Sequence, residues 1–286
     1  MGVWRFGRIH LFIAPLMPHR PSLPPTAQKN PSWPSSLLLE KKGSVWIAWS
    51  IDLLIVFAGF ISISVIWVMV WAMLRAAQKG LVAPNGLGEM GILSQMLMTI
   101  VAIGLPTLLV AVWRHWPTSV QWRSSFQALL RPVTWGWVLL IALSCLLFSW
   151  RITWLGEQMG LSAASNVETL EQGWANYPFI TLMMVVVLAP IYEELLFRRI
   201  LFRRLWQAGY PLLGMVISGF LFAFVHEVPG TTNNGFFGTL LLWSVYTTMG
   251  VAFAWIYQHT GTLYAAIAAH SLNNAVALTA LVWSLA

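Results

Sequence analysis

Apolar positions in this chain come in long runs, at about 46–74, 90–113, 133–155, 177–200, 211–227, 236–258 and 262–285. Each approaches or exceeds the ~20 residues an α-helix needs to cross hydrocarbon, the fifth being marginal by length. Turn-forming clusters separate them: Lys79-Gly80 through Pro84-Asn85-Gly86, Trp116-Pro117-Thr118, Gly209-Tyr210-Pro211, and Pro229-Gly230 through Asn233-Asn234-Gly235. The pattern predicts an all-α, polytopic transmembrane helix bundle with about seven spans, within a range of six to eight. It shows no soluble domain and no internal repeat.

Composition agrees with the pattern. The 286 residues are 58% hydrophobic and 9% charged, where a soluble domain is about a quarter charged. A net charge of +7 would suggest nucleic acid if the basic residues were clustered on a soluble surface. They sit in the amino-terminal tail and at helix ends, so the expected partner is the lipid bilayer and no nucleic acid is expected. Residues 1–44 hold seven of the fifteen prolines and six of the sixteen basic residues; they read as a basic, irregular cytoplasmic tail. The apolar patch Leu11-Phe12-Ile13 is too short, and too soon followed by Pro15 and Pro18, for a signal-peptide core. Thirteen Lys and Arg fall in the tail, the 114–132 loop and the 198–210 turn, against three on the alternate side. That asymmetry predicts a multi-pass cell-membrane protein with its amino terminus in the cytoplasm. The lone Cys145 excludes an intramolecular disulfide and a CxxC metal site.

The chemistry starts where polar residues interrupt the fourth run, at Ala189-Pro190-Ile191-Tyr192-Glu193-Glu194-Leu195-Leu196-Phe197-Arg198-Arg199. Ionisable groups inside a membrane are expensive, so each is a functional candidate with a partner to be found. Glu194 and Arg198 are spaced i,i+4 with the acid first, the favourable direction for a helical ion pair. Glu193, ~100° round the helix, is left to face the bundle interior, while Pro190 just before the pair is expected to kink the span. Two partners follow, in Phe222-Ala-Phe-Val-His226 and His270-Ser-Leu-Asn-Asn274. Glu193 and His226 lie at equal distances from the Gly209-Tyr210-Pro211 turn, so an antiparallel pair of helices puts them at one depth. His270 and Asn274, again i,i+4, share a face of the last helix. Such a set suits water activation, with Glu193 as base, His226 orienting the water or protonating the leaving amine, and His270 and Asn274 donating to the oxyanion. Phe222 reads as packing below His226.

The order Glu-Glu-x-x-x-Arg, Phe-x-x-x-His, His-x-x-x-Asn on successive spans resembles the CPBP family, the CAAX-protease and bacteriocin-processing (Abi) intramembrane proteases. The resemblance covers about 178–280. Its glutamates fall on Glu193 and Glu194, its arginine on Arg198, its aromatic on Phe222 and its polar residues on His226, His270 and Asn274. It divides the chain into the tail, amino-terminal transmembrane helices over 45–160, and a catalytic transmembrane core over 176–286. It implies an intramembrane endopeptidase acting on a membrane-associated, CAAX-prenyl-like peptide or protein through a Glu/His-activated water. No cofactor is required on that reading; a zinc-dependent form, with the metal held by Glu193, His226 and His270, is the alternative.

Other readings compete. Intramembrane Glu and His also serve as relays in proton-coupled transporters, and the same helices could form a scaffold for a partner's transmembrane segment. His226-Glu227 begins like HExxH, but Gly230 stands at the second histidine position. Asp52, His115 and His259 are expected to reach the membrane interface.

Overall fold

The computed structural model describes residues 42–79, 87–161, 167–230, 232 and 234–285; of the expected irregular tail over 1–44, residues 1–41 lie outside them and 42–44 are helical. Among the described residues there is helix and no strand. The helices are α1 (Lys42–Lys79), α2 (Ile92–Arg114), α3 (Ser119–Leu129), α4 (Pro132–Gln158), α5 (Val167–Asn176), α6 (Pro178–Gln207), α7 (Pro211–His226), α8 (Gly235–Thr260) and α9 (Leu263–Ser284).

Six of these helices, α1, α2, α4, α6, α8 and α9, are long and apolar enough to cross a membrane. The seventh expected span is the 16-residue α7, about 24 Å at 1.5 Å per residue. It stops because Glu227 leaves helical geometry, with φ −140° and ψ 94°. The expected loops also contain helix. Thr118 opens α3 with a capping box, its hydroxyl accepting from Gln121 N while the Gln121 side chain accepts from Thr118 N, each at 3.3 Å; this Thr-x-x-Gln pattern satisfies two otherwise unpaired amides.

α6 is the central helix, contacting α1, α2, α7, α8 and α9. It does not break at Pro190. Its register instead widens into π-helical turns on either side, Met183–Leu188 and Leu195–Phe202, flanking the α-helical Ala189–Glu194. Such turns are rare and gather at functional sites. Side chains of neighbouring helices engage the carbonyls of both: Asn274 Nδ2 donates to Val185 O at 3.0 Å, and Ser218 Oγ donates to Phe197 O at 2.8 Å.

Where lipid covers the outside, helix association rests on close packing and hydrogen bonds, and small residues permit it. Gly219 of α7 and Gly250 of α8 meet backbone to backbone: a Cβ built on Gly250 would lie 2.6 Å from Gly219 Cα, and one on Gly219 would lie 2.8 Å from Thr247 O. Ala265, Ala266 and Ala269 do the same service for α9, all fully buried. Two apolar clusters flank α6. One joins Val138 and Cys145 of α4 to Phe253 and Ile256 of α8; the other joins Val56, Val110, Leu196 and Phe222 from α1, α2, α6 and α7.

Asp52 was expected to reach the membrane interface; its side chain is enclosed by neighbouring helices. It is completely buried, bound by Arg114, by His115 Nε2 at 2.8 Å and by Arg204 Nη2 at 2.7 Å. His115 therefore belongs to an ion cluster. His259 stacks on Trp255 at 4.6 Å and meets the edge of Trp137 at 4.8 Å.

Candidate active site

The α-helical turn between the two π-helical segments presents Glu193 and Glu194 in different directions. Glu194 points into the bundle with no exposed surface, and so does Arg198 one turn on. Their ion contact, Arg198 Nε to Glu194 Oε2, is 2.9 Å. Arg198 Nη2 also donates to the Gly250 carbonyl at 3.3 Å, so the glycine crossing that joins α7 and α8 lies beside the guanidinium. Phe222 and Phe253 cover it, with ring centroids 4.8 and 5.4 Å from its central carbon. A buried cation is tolerable when it is paired and stacked this way.

The other oxygen of Glu194 fixes His270. Nδ1 of His270 lies 2.9 Å from Glu194 Oε1, and a carboxylate held by an arginine accepts, so Nδ1 carries the proton and donates. The imidazole stacks on Phe253 at 4.8 Å. His226 is oriented in the same manner by a different group: its Nδ1 lies 2.8 Å from Phe222 O, an acceptor only, so this nitrogen also donates. Tyr246 and Phe222 flank the ring at 4.6 and 4.3 Å. In both neutral histidines the lone pair is then on Nε2.

Both Nε2 atoms face one point. Each lies 3.8 Å from Glu193 Oε2, a buried oxygen with no hydrogen-bond partner. Helices α6, α7 and α9 thus bring three acceptors together, which the sequence spacing anticipated for Glu193 and His226. Exposure is graded across them: the side chains of His226 and Glu193 are 19% and 13% exposed, that of His270 only 2%. The approach is therefore from the α6–α7 side.

Three acceptors suit a molecule that brings hydrogens or a cation. Two imidazoles and a carboxylate are chemically apt for zinc, whose bonds of about 2.0–2.1 Å put tetrahedral donors about 3.4 Å apart. The 3.8 Å separations are wider, and among the described residues no group of three His, Cys, Asp or Glu is placed to hold a metal ion. As arranged, the set does not fit zinc.

Asn274 projects from the same face of α9 as His270, but the contact its amide makes is the one to Val185 O. One amide hydrogen is thereby committed to the backbone of α6. Sequence reasoning passed over three neighbours. Tyr246 stacks on His226. Asn273 is buried with its Oδ1 unpaired. Glu227 is completely buried: its Oε1 accepts from Thr232, from Asn234 Nδ2 at 2.9 Å and from Thr239 Oγ1 at 3.5 Å. Its backbone carbonyl accepts from Trp243 Nε1 at 2.8 Å. Residues 239, 243 and 246 form one stripe of α8, so a single helix face secures the end of α7 and the ring of His226.

Residues 174–276, which contain every one of these site groups, match the family model described as Type II CAAX prenyl endopeptidase Rce1-like. Over this segment, about a third of the chain, the protein is similar to Rce1-like CAAX endopeptidases. The chain is also similar to a curated relative, "Putative membrane peptidase YdiL" of Bacillus subtilis (strain 168), 31% identical over 97 residues. That match covers 33% of this chain and 35% of the relative, so the chain spans about a third of the length of the protein it matches. No solved structure matches.

Proposed function

We propose that this chain is an intramembrane endopeptidase that hydrolyses a peptide bond in a membrane-associated substrate, of CAAX-prenyl type, through a water activated by Glu193. The observation that carries the reading is the convergence of Glu193 Oε2 with the Nε2 atoms of His226 and His270, each 3.8 Å away. A water among three acceptors gives one hydrogen to the carboxylate and the other to an imidazole, and its own lone pair is then turned to the substrate carbonyl.

The steps balance without a covalent intermediate. As the water oxygen bonds to the carbonyl carbon, Glu193 takes one of its protons and His226 Nε2 holds the other in line. The second amide hydrogen of Asn274 donates to the carbonyl oxygen as it gains charge. The carbon–nitrogen bond then breaks and the Glu193 proton passes to the departing amine. His270 and Glu194 are positioning residues for this step: Arg198 neutralises Glu194, and Glu194 fixes the His270 tautomer.

The Lys and Arg asymmetry supports an amino terminus in the cytoplasm, with Arg114, Arg199 and Arg204 at the cytoplasmic ends of α2 and α6. A transporter is less well supported, because the polar groups form one cluster and not a file across the bilayer.

The test compares wild-type protein with Glu193→Gln and His226→Ala, each purified in detergent, on a fluorogenic prenylated peptide. Cleavage by the wild type and a loss of about 10²–10⁴-fold in both variants is expected. Undiminished cleavage by Glu193→Gln would overturn the mechanism, and uptake of a solute driven by a pH gradient without any cleavage would favour transport.

A further inference from the structure

At the end of the bundle where α2 and α6 terminate, two guanidinium groups bind one carboxylate and a third, that of Arg199, is held by the carbonyl of His115, itself a partner of that carboxylate. Arg114 Nε and Arg204 bind Asp52, Arg204 through Nη2 at 2.7 Å and Nε at 3.1 Å. Arg199 donates to the His115 carbonyl from Nη2 at 2.8 Å and Nε at 3.1 Å, and to Gln121 Oε1 at 3.3 Å. Three arginines against one aspartate leave a surplus of two positive charges before His115 is counted, and no other acid among the described residues pairs with the cluster.

The surplus is open on one side. Arg114 and Arg204 are 25% and 17% exposed while Asp52 is fully covered, so the arginines lie between the carboxylate and the outside. Among the described residues, neither terminal nitrogen of Arg114 has a hydrogen-bond partner, nor does Nη1 of Arg204. The surroundings are those of a membrane–water boundary: Trp113 and Trp116 are 74% and 63% exposed, and Trp46 packs on Tyr210 of the α6–α7 turn at 6.0 Å. Below them, lipid-facing Ile47, Ile51 and Leu54 of α1 are exposed.

We infer that Arg114, Arg204 and Arg199 bind the phosphate headgroup of an anionic phospholipid, whose acyl chains lie along the exposed face of α1. Basic pockets between transmembrane helices recognise such headgroups through guanidinium–phosphate hydrogen bonds. A zwitterionic lipid brings its own cation to the same pocket and gains less. The bound lipid would brace α1 and α2 against α6, the helix that carries Glu193. This inference does not depend on the peptidase reading, because the readout is lipid binding.

The experiment reconstitutes the full chain in phosphatidylcholine nanodiscs with rising phosphatidylglycerol, then measures by mass spectrometry the lipid retained on the protein after delipidation. Wild-type protein is expected to retain phosphatidylglycerol selectively. Arg114→Gln, which leaves Arg204 and His115 on Asp52, should lower that enrichment about fivefold. Asp52→Asn removes the competing carboxylate and should raise it. Equal retention of the two lipids by the wild type, or unchanged enrichment in Arg114→Gln, overturns the assignment, as does inorganic phosphate binding as tightly as the lipid. Should Asp52→Asn fail to fold, the Arg114→Gln arm decides alone.

Discussion

Glu194 and His270 are 76 positions apart in sequence and 2.9 Å apart in space. The contact makes Glu194 the hinge of two demands: it neutralises Arg198 through one oxygen and fixes an imidazole through the other. Glu194→Gln should therefore damage folding as well as catalysis. Removing one partner of a buried ion pair costs about 3–5 kcal/mol, which thermal unfolding in detergent would register. The double variant Glu194→Gln with Arg198→Met should regain much of that stability and none of the activity. If Glu194→Gln melts with the wild type, the pair is not structural.

Gly250 should tolerate almost nothing. A methyl group there meets the backbone of Gly219, which cannot swing aside as a side chain can. Gly250→Ala is expected to cost about 1–3 kcal/mol through overpacking and to displace the carbonyl that receives Arg198. A lowered melting temperature with reduced turnover is the expected pair of results, and a wild-type melting temperature would contradict the packing argument.

Glu227 separates charge from shape. Its three donors to Oε1 are neutral, and the oxygen of a glutamine can accept from all of them. Glu227→Gln should keep most activity. Glu227→Ala should leave the buried Thr239 hydroxyl without this acceptor, at about 1–3 kcal/mol, and loosen His226, the preceding residue. Activity at a series of substrate concentrations would show the loss in kcat. Equal loss in both variants would mean that the charge itself is used.

Metal removal is a fourth prediction. With donors spaced as they are, purified protein should contain less than one zinc per chain, and chelation should leave cleavage unaltered. Loss of activity on chelation, restored by added zinc, would require His226 and His270 to draw closer to Glu193 than they stand.

Much of this was legible from local spacing. The i,i+4 interval of Glu194 and Arg198 announced an ion pair, and the symmetric placement of Glu193 and His226 about a turn announced their meeting. The environment of Asp52 could not be read so: its partners lie 62, 63 and 152 positions away, and nothing near residue 52 marks them. The π-helical turns of α6 were equally hidden, since no residue type signals them, and a proline between them suggested a kink. By contrast α3 was available in the Thr-x-x-Gln pattern at Thr118, obscured by the polar character of its segment. Seven spans were expected, within a range of six to eight, and six helices have the length; the fifth apolar run, marginal by length from the start, forms a helix that ends after 16 residues at His226.

That early end has a physical cost to the surrounding lipid. A helix of about 24 Å is shorter than the roughly 30 Å of hydrocarbon beside it, and the chain beyond it is not helical through Val228 and Pro229. The leaflet next to His226 must dimple or admit headgroups and water, at fractions of a kcal/mol for each ångström. Acyl-chain length thereby becomes a thermodynamic variable at the mouth of the site, with thin bilayers matching this protein and thick ones strained against it.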